Sequence, residues 1–199
     1  MTELTARFEQ ALQYAFELHQ RQRRKGSQTP YIAHLLGVCA LVLEDGGDED
    51  EAIAALLHDA AEDQGGLQTL EEIRRRFGEH VAEIVDGCTD TYEMPKPAWR
   101  LRKETYLEHL RTASSAVLRV SLADKLHNAR AMQTDLYSQG EALWGRFNGG
   151  KEGSLWYYRS LAQIFKELER SQPGKMPMAA LLDDTVCEIE RLSAGGAGK

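Results

Sequence analysis

Leu56-Leu57-His58-Asp59-Ala60-Ala61-Glu62-Asp63 is the stretch on which the reading of this chain turns. One imidazole and three carboxylates fall within the six residues 58–63, directly behind an apolar pair. Helical spacing spreads them over about two turns. Charged side chains are rarely buried unless they are paired or bind a metal ion. A helix that carries His-Asp and then Glu-Asp beside apolar residues therefore points to a metal site with its own acid and base.

Outward from this stretch, apolar residues recur at helical spacing along nearly the whole chain. Phe8, Leu12, Ala15 and Phe16 mark a first helix, expected to end near Gly26. A second covers residues 31–44 and a third, capped by Asp48, residues 49–63. Thr69-Leu70-Glu71-Glu72 has capping-box spacing and opens a short helix to about residue 77, followed by another over 79–85. A loop is expected over 88–97, with Pro97 in the first turn of a helix over 98–112. Ser114 or Ser115 caps a helix over 116–137. Gly149, Gly150 and Gly153 punctuate a loop before helices over 155–170 and 178–192, and residues 194–199 read as a frayed tail. No period-2 strand pattern of useful length and no internal repeat appears. The expected fold is all-α, a single helical domain of seven to nine helices over residues 1–193.

The totals narrow the function. At 199 residues the chain suits one domain with a real core. Lys and Arg number 24 against 31 Asp and Glu, a net charge of −7, which disfavours nucleic-acid polymers and anionic membranes as partners. Cys39, Cys88 and Cys187 are odd in number and far apart, with no CxxC, so they indicate free thiols and a cytoplasmic location. No apolar run approaches the ~18 residues that would span a bilayer.

His34 lies among apolar residues of the second helix. Alone it reads as a core histidine as readily as a ligand, but His58-Asp59 add the imidazole and carboxylate types that divalent Mn, Fe and Zn accept. Asp124 follows Val120-Ser121-Leu122-Ala123 on a helix built for burial. It is a fourth candidate ligand, or else an ion-pair partner of Lys125 or Arg119. Glu62 and Asp63 follow His58 and Asp59 by four residues each, on one helical face. Carboxylates beside a metal can deprotonate a bound water or protonate a leaving oxygen. As mere helix-end residues they would oppose the dipole and call for compensation. Arg21, Arg23, Arg24 and Lys25 either complement the end of the first helix or bind phosphate near His34. Trp99-Arg100-Leu101-Arg102-Lys103 is a second basic cluster, or a solvated helix face. Trp156-Tyr157-Tyr158 reads as core, with one ring free to stack on a nucleobase. Asn128 is polar on a buried-looking helix, and so is His127. His19, His80 and His109 lack carboxylate company and read as structural or surface residues.

Four segments together are similar to the HD superfamily of metal-dependent phosphohydrolases. They are Arg24-Lys25-Gly26 with Pro30-Tyr31-Ile32-Ala33-His34, residues 55–63, Phe77-Gly78, and Leu122-Ala123-Asp124-Lys125-Leu126-His127-Asn128. The pattern resembles the hydrolase domain of RelA/SpoT homologues, in the form of a small stand-alone alarmone hydrolase. Leu35 stands where that family often has Pro, and residues 88–112 and the C-terminal third diverge more. The resemblance implies an Mn²⁺-dependent enzyme that removes pyrophosphate from the 3′ position of (p)ppGpp. It implies His34, His58, Asp59 and Asp124 as metal ligands and Glu62-Asp63 as the catalytic pair. It implies Arg24, Lys25, Asn128 and Tyr157 as substrate contacts, and leaves a homodimer open. Rival readings are a hydrolase of adenine alarmones, a phosphatase of the NADPH 2′-phosphate, and a catalytically silent nucleotide sensor.

Overall fold

Three helices build the frame that holds the conspicuous stretch: α1 (Ala6–His19), α2 (Ile32–Glu44) and α3 (Glu49–Leu57). They are taken from a computed structural model, which describes residues 2–172, 174 and 176–195, so the tail expected from 194 lies outside the described residues from 196 on. The start of α3 is fixed by its own sequence. Asp48 accepts from the Glu51 amide at 2.9 Å, and the Glu51 carboxylate accepts from the Asp48 amide at 2.9 Å. This reciprocal pair satisfies two amides that a helix start leaves orphaned. Ala52 through Leu57 are fully buried, as suits a helix that is apolar all round, and α3 packs against α1 and α2.

α3 stops at Leu57. His58 and Asp59 form a turn, and a separate short helix, α4 (Ala60–Asp63), follows. The expected continuous helix over 49–63 is thus broken at the residues of interest. Asp59 takes φ −96° and ψ −3°, in the sparsely populated bridge region where turn and active-site residues occur. α1 also ends earlier than expected, at His19 rather than near Gly26. The following segment folds back on itself. The Arg24 amide donates to the Thr29 carbonyl (2.9 Å), the Tyr31 amide to the Gln22 carbonyl (3.0 Å), and Gly26 turns the loop at φ +73°.

α5 (Leu67–Phe77) and α6 (Glu79–Cys88) pack on each other, and α6 packs on α3. Thr69 does not cap α5, which begins two residues earlier. Its hydroxyl donates instead to the Gln64 carbonyl at 2.9 Å. Next come α7 (Trp99–Leu110), α8 (Ser115–Gln139), a 3₁₀ segment over Gly140–Arg146, α9 (Gly150–Ser171) and α10 (Met178–Gly195). The fold is all-α, and among the described residues the one β-bridge is isolated, between Arg23 and Pro30. No described helix is long and apolar enough to cross a membrane.

The chain forms two compact units. The first runs to Lys96 and takes in Ala113–Asp124; the second holds Pro97–Thr112 and the chain from Lys125 on. In the first unit Arg119 of α8 donates to Asp45 (2.9 Å) and to Glu51, both nearly buried, and so ties α8 to the end of α2 and to α3. In the second unit α9 packs against α7 and α10. Gly149 lies in the turn before α9, as expected, whereas Gly153 breaks nothing and lies inside the helix. A Cβ built on Gly149 would stand 2.6 Å from the Trp99 ring, and one on Gly153 3.1 Å from it, so the two glycines form a cradle for the indole.

Candidate metal centre

The packing of α2 on α3 and the early end of α3 bring together side chains from three stretches of the first unit. His34 Nε2 lies 3.2 Å from Asp124 Oδ1 and 3.6 Å from Asp59 Oδ2. His58 Nε2 lies 3.0 Å from Asp59 Oδ2 and 3.6 Å from Asp124 Oδ1. Two imidazole nitrogens and two carboxylate oxygens thus crowd around one point. His34, His58 and Asp124 are buried, and the Asp59 side chain keeps 23 % exposure, which leaves the cluster one wet edge. Asp124 faces these histidines, whereas Arg119, an alternative partner on sequence grounds, is engaged by Asp45 and Glu51.

The donor set fits a divalent ion. His58 Nδ1 lies 2.8 Å from the Ala55 carbonyl, an acceptor only, so Nδ1 carries the proton and Nε2 the lone pair. That Nε2 is buried and makes no hydrogen bond, although carboxylate oxygens stand beside it. Neutral imidazole with carboxylate is the ligand chemistry of first-row divalent metals. Without an ion, a proton balances the charge. Burial pushes His58 down, but Asp59 and Asp124 outweigh it and hold the imidazole well above its usual range. Burial raises Asp59, yet His58 and His34 hold its carboxyl well below the ordinary one.

Tyr31, which the sequence reading did not single out, borders the cluster. Its hydroxyl donates to Asp59 Oδ2 at 2.5 Å, and its ring stacks on His19 at 5.3 Å and meets His34 edge-on at 5.4 Å. Burial and the Asp59 charge push its pKa up, so it stays a donor. The available signal was its position three residues before His34, on the same helical face.

Asp63 still follows Asp59 by one turn, since its amide donates to the Asp59 carbonyl at 3.0 Å. The compensation that acids at a helix end require is present. Lys96 pairs with Glu62 at 2.7 Å, the Asp90 amide donates to Glu62 at 3.2 Å, and Gln22 donates to Asp63 at 2.8 Å. Burial, then the nearby Asp59 charge, push the Asp63 carboxyl up from its usual value.

Arg24 and Lys25 lie on the folded-back loop, not on the last turn of α1, so complementing a helix dipole does not explain them. The Arg24 guanidinium stands 5.9 Å from the Tyr31 ring centroid, which brings it to the side of the cluster. Lys25 is exposed beside Gly26. Asn128 and Tyr157 belong to the second unit. Asn128 is half-buried on α8, and Tyr157 is buried against Trp99, Trp156 and Tyr158, with the Lys103 ammonium 5.1 Å from its ring. Arg100 lies 3.2 Å over the Trp156 ring, so this basic cluster covers aromatics rather than forming a simple solvated face.

The sequence pattern of the family described as HD domain matches residues 11–155. The Xenopus tropicalis protein named guanosine-3′,5′-bis(diphosphate) 3′-pyrophosphohydrolase MESH1 is 42 % identical over 127 residues, covering 62 % of this chain and 68 % of the relative. Its Danio rerio counterpart of the same name is 40 % identical over 129 residues, covering 63 % and 69 %. A solved structure of a metazoan ortholog of SpoT, described as hydrolysing ppGpp, superimposes with a TM-score of 0.71 at 27 % identity, over 96 % of this chain and 97 % of that one. The paired histidines and aspartates, the all-helical frame around them and these likenesses agree: the chain belongs to the HD domain family.

Proposed function

We propose that this protein is a cytoplasmic, Mn²⁺-dependent hydrolase that removes the 3′-pyrophosphate of (p)ppGpp, giving GDP or GTP and pyrophosphate. The observation that carries the reading is the convergence of His34, His58, Asp59 and Asp124, with an acidic pair one turn beyond. The names of the MESH1 relatives and of the SpoT ortholog support the substrate class.

His34, His58, Asp59 and Asp124 would hold the ion. When bound, a divalent ion polarises a phosphate oxygen and acidifies a water. Glu62, fixed by Lys96 and the Asp90 amide, orients the attacking water and takes its proton. The water oxygen bonds to the phosphorus attached at the 3′ position, and the bond from that phosphorus to the ribose oxygen breaks. Asp63 gives the leaving oxygen its proton, a role that suits a carboxyl whose pKa is raised. Arg24 and Lys25 offset the charge that builds on the phosphates. The family resemblance adds Asn128 and Tyr157 as nucleotide contacts.

A nucleotide panel assayed with Mn²⁺, with products resolved by phosphorus NMR, tests the reading. Pyrophosphate from (p)ppGpp supports it. A preference for (p)ppApp moves the base specificity, and orthophosphate from NADPH moves the substrate. Tight binding without turnover of any nucleotide would leave a sensor.

A further inference from the structure

Gln22 is half-buried at the base of the folded-back loop, and every polar group on it is engaged. Its amide donates to the His19 carbonyl at 2.9 Å, and its carbonyl accepts from the Tyr31 amide at 3.0 Å. Side-chain Oε1 accepts from His19 Nδ1 at 2.6 Å and from Gln64 Nε2 at 2.6 Å. Nε2 donates to Asp63 Oδ2 at 2.8 Å. In this arrangement Oε1 faces His19 Nδ1 and Gln64 Nε2, and the NH₂ faces the Asp63 carboxyl group, so each end of the carboxamide is engaged.

We propose that Gln22 is a positioning residue for the hydrolysis: its carboxamide holds Asp63 by Oδ2 and leaves Oδ1 to carry the proton to the leaving oxygen. The inference rests on the acid role given to Asp63 under the functional reading. His19, whose ring stacks on Tyr31 beside the metal cluster, gains a purpose. It is buried, burial lowers its pKa, and because Nε2 is buried without a hydrogen-bond partner the neutral ring is best satisfied with its proton on Nδ1, toward Gln22. Gln22 also lies two residues before Arg24 on the same loop, so the phosphate-binding segment and the orientation of the acid share one anchor.

Gln22→Glu isolates the contact. The substitution keeps an acceptor for His19 and Gln64 but replaces the donor to Asp63 with a second carboxylate oxygen. Steady-state kinetics on (p)ppGpp with Mn²⁺ would be compared for wild type, Gln22→Glu, Asp63→Asn and the double variant, with melting temperature and bound metal measured on each. Misplacing a catalytic group by about 1 Å can cost about 10²-fold in rate. The expected result is a kcat for Gln22→Glu lowered roughly ten- to a hundredfold. KM, metal content and melting temperature should change little, and the double variant should be no slower than Asp63→Asn alone, as expected for residues acting as one unit. Gln22→Ala, which removes the donor without adding charge, should lower kcat in the same direction. A wild-type kcat for Gln22→Glu beside an impaired Asp63→Asn overturns the positioning role and leaves the functional reading standing. Losses that multiply in the double variant, or a change confined to KM or to the melting temperature, also overturn it. An unimpaired Asp63→Asn removes the acid role and the positioning role together.

Discussion

The Tyr31 hydroxyl and the Asp59 carboxylate are joined at 2.5 Å, through the same Oδ2 that stands 3.0 Å from His58 Nε2. The phenol therefore orients a metal-ligand candidate from outside. Removing such a partner typically costs about 10- to 100-fold in metal affinity or activity. Tyr31→Phe keeps the stacking on His19 and deletes only the donor. It should weaken Mn²⁺ binding by that order in a calorimetric titration, with the melting temperature of the metal-free protein nearly unchanged. Equal affinity would show that Asp59 needs no help.

Chelation should abolish hydrolysis, and Mn²⁺ should restore it. Alanine at His34, His58 or Asp124 should remove the bound ion, because each truncation deletes one donor of a buried set. Full activity in a metal-stripped sample, judged by elemental analysis alongside the assay, would sink the metal-dependent reading.

Glu62→Gln keeps the shape and a hydrogen-bonding end but removes the base. Loss of a positioned acid or base costs roughly 10²–10⁴-fold in rate. We expect kcat to fall by that order with metal content near one per chain. The Lys96 ion pair, 34 % and 18 % exposed on its two sides, is weakened by the same change, and its contribution to stability is small at such a wet position. Unchanged kcat would reassign Glu62 to the Lys96 pair alone.

The Arg24→Ala, Lys25→Ala double variant should raise KM for (p)ppGpp about tenfold or more, since charge-assisted hydrogen bonds contribute roughly 1.5–3 kcal/mol each. The melting temperature should hardly move, because the pair stands on a loop and not at a helix end. An unchanged KM would take both residues out of the substrate's reach.

Gly149→Ala meets no backbone strain, at φ −83°, so its cost is steric alone. The added carbon collides with the Trp99 ring, and overpacking of this kind costs about 1–3 kcal/mol. Denaturant titration should show a loss in that range. A neutral variant would mean that the indole can swing aside.

Local chemistry explains which parts of this architecture could be read in the chain. The Asp48–Glu51 box announces the start of α3, and the buried run behind it announces its place in the core. The break at His58-Asp59 gives no such warning, because Leu-Leu-His-Asp-Ala-Ala has no helix breaker. The turn coincides with the place where four side chains meet across the fold. Residues 20–25 are likewise good helix formers, and a backbone pairing with residues 29–31 overrides them. Gly153 carries the breaker's signature yet lies inside α9, where with Gly149 it serves as a seat for Trp99. His34, His58, Asp59 and Asp124 stood out as candidates because metal chemistry limits residue types. Tyr31 and Gln22 did not, because a phenol and a carboxamide acquire meaning only from the partner that distance supplies.

The cradle around Trp99 also decides what light can report about this molecule. Trp99, Trp144 and Trp156 are the chain's three tryptophans, and all fall in the second compact unit. Tryptophan emission therefore reports directly on that unit, whereas every candidate metal ligand lies in the other. An unfolding curve recorded by fluorescence would register Gly149→Ala and could pass over damage at His34 or Asp124. Far-ultraviolet dichroism recorded on the same sample would separate the two, and a mismatch between the curves would be the optical signature of units that do not melt as one.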